Sequence, residues 1–171
     1  MARGDAAWLR QVAEFRRELQ TALSPAFIGK HMAEHKAKAV IQSVVASASA
    51  GIGPGDSRYK DYSPAYAARK KKAGHMRWLR GIKNTGRTGG MLDHSRFRLA
   101  VEGGKLWLIW TSTGGAMDIY ADLHNQPGNP KLPQREWMHF ETALTQRTVH
   151  KALEQTLDEI AAKFNLGAPI R

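Results

Sequence analysis

The residues whose types and spacing most readily suggest chemistry are His31, Glu34 and His35, which form the pattern H-x-x-E-H. On a helix, side chains four positions apart share a face, so the two imidazoles point the same way, as two zinc ligands must. A hydrolytic zinc site also needs a third ligand and a cleft that excludes water. No downstream segment announces a carboxylate ligand on a helix, and the plainer reading is two partly exposed histidines beside Ala and Lys. A zinc hydrolase using His31, Glu34 and His35 is therefore kept only as an alternative.

Other catalytic signatures are missing. There is no G-x-S-x-G elbow, P-loop or dinucleotide fingerprint. Gly51, Gly53 and Gly55 look at first like a phosphate loop, but they follow a helical pattern rather than a strand, and Pro54 removes an N–H such a loop would use. His124 and Asn125 suggest a nuclease pair, without a metal-binding histidine on a nearby ββα unit. The expectation is a protein that is not an enzyme, with no catalytic residues, metal or cofactor.

The charge offers a different chemistry. Net charge is +11, and residues 57–98 hold twelve Lys/Arg against only Asp61 and Asp93, which leaves +1 for the rest of the chain. Arg69, Lys70, Lys71, Lys72, Arg77, Arg80, Lys83 and Arg87 are interleaved with Tyr59, Tyr62, Tyr66 and Trp78. Cations with aromatics suit phosphate contact plus base stacking. The alternatives are a solvated loop or an arm that docks on an acidic neighbour. An excess of this size is more than solvation requires, so a docking role toward DNA or an acidic protein is expected.

The elements that must position these residues follow from periodicity. A first helix is expected from near Asp5, with Trp8, Val12, Phe15, Leu19 and Leu23 in one apolar stripe. Ser24 and Pro25 restart a helix whose apolar face runs through Phe27, Ile28, Met32, Val40, Ile41, Val44 and Val45 and ends at Gly51. Ser63 and Pro64 start a short helix through Arg69–Ala73, closed by Gly74. Residues 75–90 read as a long mobile loop. Phe97, Leu99 and Val101 alternate with polar or small residues, and Leu106, Leu108 and Trp110 alternate with Trp107 and Ile109. Joined by Gly103 and Gly104, the two runs predict a β-hairpin. Asp118 is positioned to cap a helical turn holding Tyr120, Leu123 and His124. A last helix is expected from about Trp137 to Phe164.

The predicted fold is α+β: helices packed on a small antiparallel sheet with a central β-hairpin, a long basic loop and a long C-terminal helix. One domain is expected over 1–171, divided into N-terminal helices (1–50), a basic mobile arm (51–92), and hairpin, loop and C-terminal helix (93–171). With 171 residues the chain can bury a sizeable core without staples. The absence of cysteine excludes disulfides and thiol chemistry. No apolar run approaches the roughly 20 residues that span a bilayer, and the first residues lack an apolar signal core. A soluble protein made and used inside a cell, with no membrane partner, is expected.

One stretch is more specific than any of these. Residues 120–137 open with Tyr120 and Ala121, carry His124 and Gly128, and close on Pro133, Arg135 and Trp137 as P-x-R-x-W. The stretch resembles the "Tyr-Ala…His-x-x-Gly…Pro-x-Arg-x-aromatic" segment of the phage virion-morphogenesis (tail-completion) family. Two earlier pieces are similar to that family in the same order. Tyr59 to Lys70 looks like its "aromatic–x–Pro-Leu-Ser-x-x-Thr…Lys" segment. Thr85, Gly86, Met91, Leu92 and Ser95 look like the "Thr-Gly-x-Leu-x-x-Ser" before the hairpin. The likeness covers roughly residues 55–140. It departs where the family has Arg-Pro-Phe and this chain has Arg135, Glu136 and Trp137, and in the insertion at Arg87.

The resemblance implies a structural protein of the head–tail interface, either a tail-completion or tail-terminator protein or a neck component. It would act as a homo-oligomeric ring, hexameric in the first instance, assembled in the host cytoplasm and carried in the virion. Its partners would be tail-tube and head-connector proteins, with DNA passing through the channel. Tyr120, His124, Gly128, Pro133, Arg135, Trp137 and Trp107 are the interface candidates. For Arg135 two roles stand side by side: fixing its own loop, or gripping a carboxylate on an adjacent subunit.

Overall fold

The structure is a computed structural model that describes residues 2–74, 92–111 and 135–166. Its described elements are α1 (Ala2–Ala22), α2 (Pro25–His35), α3 (Ala37–Ser49), α4 (Pro64–Lys72), β1 (Phe97–Glu102), β2 (Lys105–Trp110) and α5 (Ala143–Lys163). The fold is mixed α+β, as the pattern of alternation and helical stripes predicts.

The hairpin forms in the expected register, with Phe97 opposite Trp110, Leu99 opposite Leu108 and Glu102 opposite Lys105. Gly103 and Gly104 both take positive φ, 57° and 74°, which the tight primed turn requires and side chains resist. Phe97 and Leu99 are buried, while Arg98 and Glu102 face out. Helix α2 lies directly on β1. A Cβ added at Gly29 would come within 3.0 Å of Val101 Cγ2, so this glycine permits the close approach.

Ser24 caps α2 as expected, accepting a hydrogen bond from the Phe27 N–H at 3.2 Å, with Pro25 at the first position. The single helix expected from Ser24 to Gly51 is in fact two. The backbone leaves helical geometry at Lys36 (φ −115°, ψ −2°). At about 100° per residue, an unbroken helix would set the Val40–Ala48 stripe nearly opposite the Ile28–Met32 stripe. The break brings both onto one core, where Met32, Val40, Ile41, Val45 and Ala48 are all buried.

Helix α5 closes that core along α3. The contact is polar as well as apolar. Ser47 Oγ and Thr142 Oγ1 lie 2.9 Å apart, the Thr142 hydroxyl donates to Thr145 Oγ1 at 2.9 Å, and the Ser43 hydroxyl donates to the Val40 carbonyl at 2.7 Å. These buried hydroxyls satisfy one another, so the seam carries little desolvation cost.

Helix α5 begins at Ala143, later than the expected Trp137, because two caps fix its start. Thr142 accepts from the Thr145 N–H at 3.2 Å. Asp56 Oδ1, from a loop 87 residues earlier, accepts from the Ala143 N–H at 3.1 Å. The helix ends at Lys163 and turns at Asn165, which takes φ 53°. Helix α1 likewise starts at Ala2, before the expected cap at Asp5. No described helix is long and apolar enough to cross a membrane.

Candidate functional site

Residues 135–140 form irregular chain leading into α5, and they insert Arg135 and Trp137 of the P-x-R-x-W pattern into the interior. Trp137 is 0% exposed. Its ring meets Phe97 and Trp110 edge to face, at centroid distances of 5.8 and 5.7 Å. Such pairs add about 0.5–1.5 kcal/mol beyond the area they bury. The indole N–H is also buried, and no hydrogen-bond acceptor for it lies among the described residues.

Arg135 is 2% exposed. One guanidinium nitrogen donates to the Lys60 carbonyl at 3.0 Å, and the guanidinium carbon sits 4.5 Å from the centre of the Tyr62 ring. Lys70, also 2% exposed, shares that ring: Nζ lies 4.5 Å from its centre and donates to the Tyr62 hydroxyl at 3.3 Å. The rings of Tyr62 and Tyr66 pack edge to face at 5.0 Å. Tyr59 is buried, and its hydroxyl donates to the Glu136 carbonyl at 2.9 Å.

The electrostatics follow from burial. Loss of water lowers the Lys70 ammonium from 10.5 to about 8, and the Arg135 charge nearby adds to the effect. Burial lowers the Arg135 guanidinium too, and Tyr62 and Tyr66 oppose the shift. Burial raises the Tyr59 phenol, with Arg135 pulling the other way. The cluster joins residues 59–70 to residues 135–137 by side-chain and backbone bonds. Within the chain, Arg135 ties its loop to the Lys60 carbonyl and the Tyr62 ring.

The segment expected as a mobile arm is therefore packed where it is described. The loop at 51–58 turns at Gly51 (φ 77°) and Gly55 (φ 61°), and the Gly55 N–H donates to the Glu141 carbonyl at 3.3 Å. It seats the start of α5. Tyr59 and Tyr62, expected as stacking platforms, are occupied within the chain by Glu136, Arg135 and Lys70. On α4, Lys70 turns inward while Arg69, Lys71 and Lys72 remain exposed. The signal for this was a spacing of four, Tyr62–Tyr66–Lys70, which places one cation of the run on the aromatic side.

Trp107 differs from the other interface candidates near it. It lies on the outer face of β2 and is 49% exposed. Tyr120, His124, Gly128, Pro133, Arg77, Arg80, Lys83 and Arg87, with Trp78, lie outside the described residues.

The H-x-x-E-H motif is on α2 as predicted, and the His31 and His35 rings are 4.4 Å apart. Glu34, however, faces Lys30 at 3.9 Å. His31 Nε2 instead meets Glu159 Oε2 of α5 at 2.6 Å, and Lys36 Nζ meets Glu159 Oε1 at 2.5 Å. Hydrogen bonds from Lys36 and then His31 hold the Glu159 carboxyl below its ordinary range. Among the described residues no group of three His, Cys, Asp or Glu can hold a metal. His31, together with Lys36, braces the end of α2 to α5.

Compared with family models, curated proteins and solved structures, the chain matches none.

Proposed function

We propose that this chain is a structural assembly protein of a tailed phage, acting at the head–tail interface as a tail-completion or tail-terminator protein or a neck component. It works as an oligomeric ring, hexameric by the resemblance, that caps the tail tube, offers a docking face to the head and leaves a channel for DNA. Its partners are further copies of itself and the tail-tube and connector proteins, and its place is the virion, after assembly in the host cytoplasm.

The observation that carries the reading is where the large apolar side chains lie. Among the described residues Trp137 and the core are buried, yet Trp8, Leu9 and Val12 on α1 and Trp107 on β2 remain exposed on two separate elements. Exposed apolar surface of this kind marks association rather than catalysis. The ordered motifs from Tyr59 to Trp137 supply the phage context. The test is imaging of particles lacking this gene, with labelled protein added back to the lysate. The reading expects label at the head–tail junction and restored infectivity. Normal particles from the deletion, with no label bound, would overturn it.

A second reading rests on Arg69, Lys71 and Lys72, which are exposed on the last turn of α4 and take part in none of the described ion pairs. A nucleic-acid-binding protein would show DNA affinity that falls steeply with salt. A titration that is flat in salt removes this alternative.

A further inference from the structure

Helix α1 is 21 residues, about 30 Å long. Its C-terminal half is anchored: Ala22 is buried, and Phe15 packs edge to face on Phe164, just past the end of α5, at 5.7 Å. Its N-terminal half is less covered by the described residues. Trp8 is 62% exposed, and Leu9 and Val12 are exposed beside it. Trp8, Val12 and Phe15 keep the 4 and 3 spacing of a helical seam, so this is one continuous apolar stripe. Glu14 and Glu18, one turn apart and both exposed, lie along one side of it, while Arg16 flanks the other side and Arg10 and Arg17 lie toward the back of the helix.

A complementary surface exists on the same chain. Between the start of α3 and the first half of α5 runs a groove of about 450 Å³. Its floor is apolar, made by Ala39, Ala152 and an exposed Leu144; its rim carries Arg147 and Lys151, with Lys36 already paired to Glu159. Arg147 and Lys151 are also one turn apart, matching the spacing of Glu14 and Glu18. None of the groove's lining comes from α1 of the same chain.

We infer that the exposed side of α1, from Trp8 to Glu18, docks into the α3/α5 groove of a second copy of this chain, with the Trp8–Val12 stripe on Leu144 and Glu14 and Glu18 against Arg147 and Lys151. This deepens the ring reading and rests on it. The two surfaces are different patches, so the contact is head to tail, and repeating it builds a ring or a filament rather than a closed dimer. An apolar floor argues for a helix as occupant. A phosphate backbone would satisfy the cations but leave Leu144 wet.

The chain has no cysteine, so introduced thiols report cleanly. Oxidation of a mixture of Val12→Cys and Leu144→Cys proteins is expected to give the mixed disulfide in preference to either like pair. In sedimentation velocity, Glu14→Lys/Glu18→Lys should weaken self-association at least tenfold. Arg147→Glu/Lys151→Glu should do the same, and mixing or combining the two reversals should restore it. All these positions are exposed, and an unchanged thermal transition confirms that each variant is folded. Val12→Cys pairing with itself, charge reversals without effect, or a wild-type chain that stays monomeric at every concentration each overturn the contact. If such a chain still labels the head–tail junction, the functional reading survives and only this contact fails. If the junction is unlabelled as well, both fail.

Discussion

Trp107 and Trp137 lie thirty residues apart, yet the molecule treats them oppositely. Trp137 is fully enclosed between Phe97 and Trp110, next to a buried arginine. Trp107 stands on the outer face of the hairpin, half in water. The same contrast separates the core of α2, α3 and α5 from the free half of α1. Residue type says that a side chain will be valuable to bury. It does not say whether its own chain or a neighbour will do the burying.

That contrast can be broken most forcefully at Trp137. Trp137→Ala should cost about 3–5 kcal/mol, the range for large aromatic deletions in a core, seen as a large fall in the denaturation midpoint. A loss below 1 kcal/mol would mean the residue is not the lock described. Next comes Lys70. Below pH 8 the folded and unfolded chains both hold its proton. Between about 8 and 10.5 only the unfolded chain keeps it, so this group makes stability climb with pH. At 1.36 kcal/mol per pKa unit the climb is about 3 kcal/mol. In Lys70→Met it should vanish, and an equal climb in both proteins would show that Lys70 is not its source.

Arg135→Lys keeps the charge but loses the planar fork on the Lys60 carbonyl and Tyr62. It should cost about 1.5–3 kcal/mol, in line with hydrogen bonds made by charged groups. Urea titration would show it, and an unchanged midpoint would assign Arg135 some role other than fixing its loop. Asp56→Asn retains a residue type that tolerates the positive φ of 58° at this position but removes the carboxylate from the start of α5. It should cost about 0.5–1 kcal/mol, and raising ionic strength should narrow the gap to wild type. Trp107→Ala sits at the other end of the scale. Stability should move by less than about 0.5 kcal/mol, while junction labelling is lost. Full labelling by this variant would remove Trp107 from the docking face.

The hairpin was fully legible, because strict alternation about Gly103 and Gly104 leaves one register that buries Phe97 and Leu99. The Ser24 cap was legible for the same local reason. The break at Lys36 was not read, although the phase slip between Met32 and Ile41 contains it; a stripe counted residue by residue looks continuous even when it has rotated to the far side. The start of α5 was misplaced because the Asp56 cap comes from a loop 87 residues away, which no local window can hold. In the basic run 69–72, composition treats four cations alike, and only Tyr62 and Tyr66 single out Lys70 as the one that turns in. The H-x-x-E-H motif sets His31 and His35 on one face as expected, but the partner of His31 is Glu159 on another helix. Five letters of sequence cannot indicate that.

The cap that Asp56 places on α5 also sets a clock. At about 5–20 residues per second, the 87 residues between the two ends of that bond take roughly 4–17 s to synthesise. Until α5 has emerged, the Ser47 hydroxyl lacks its Thr142 partner and the faces of α2 and α3 lack their cover. A fragment ending at Thr142 should accordingly show no cooperative melting transition by circular dichroism. The groove between α3 and α5 is complete only when the last helix arrives, so a chain still on the ribosome has a free α1 but nothing to accept one. Under the proposed contact, linking of nascent chains would be delayed by the order in which the residues are made.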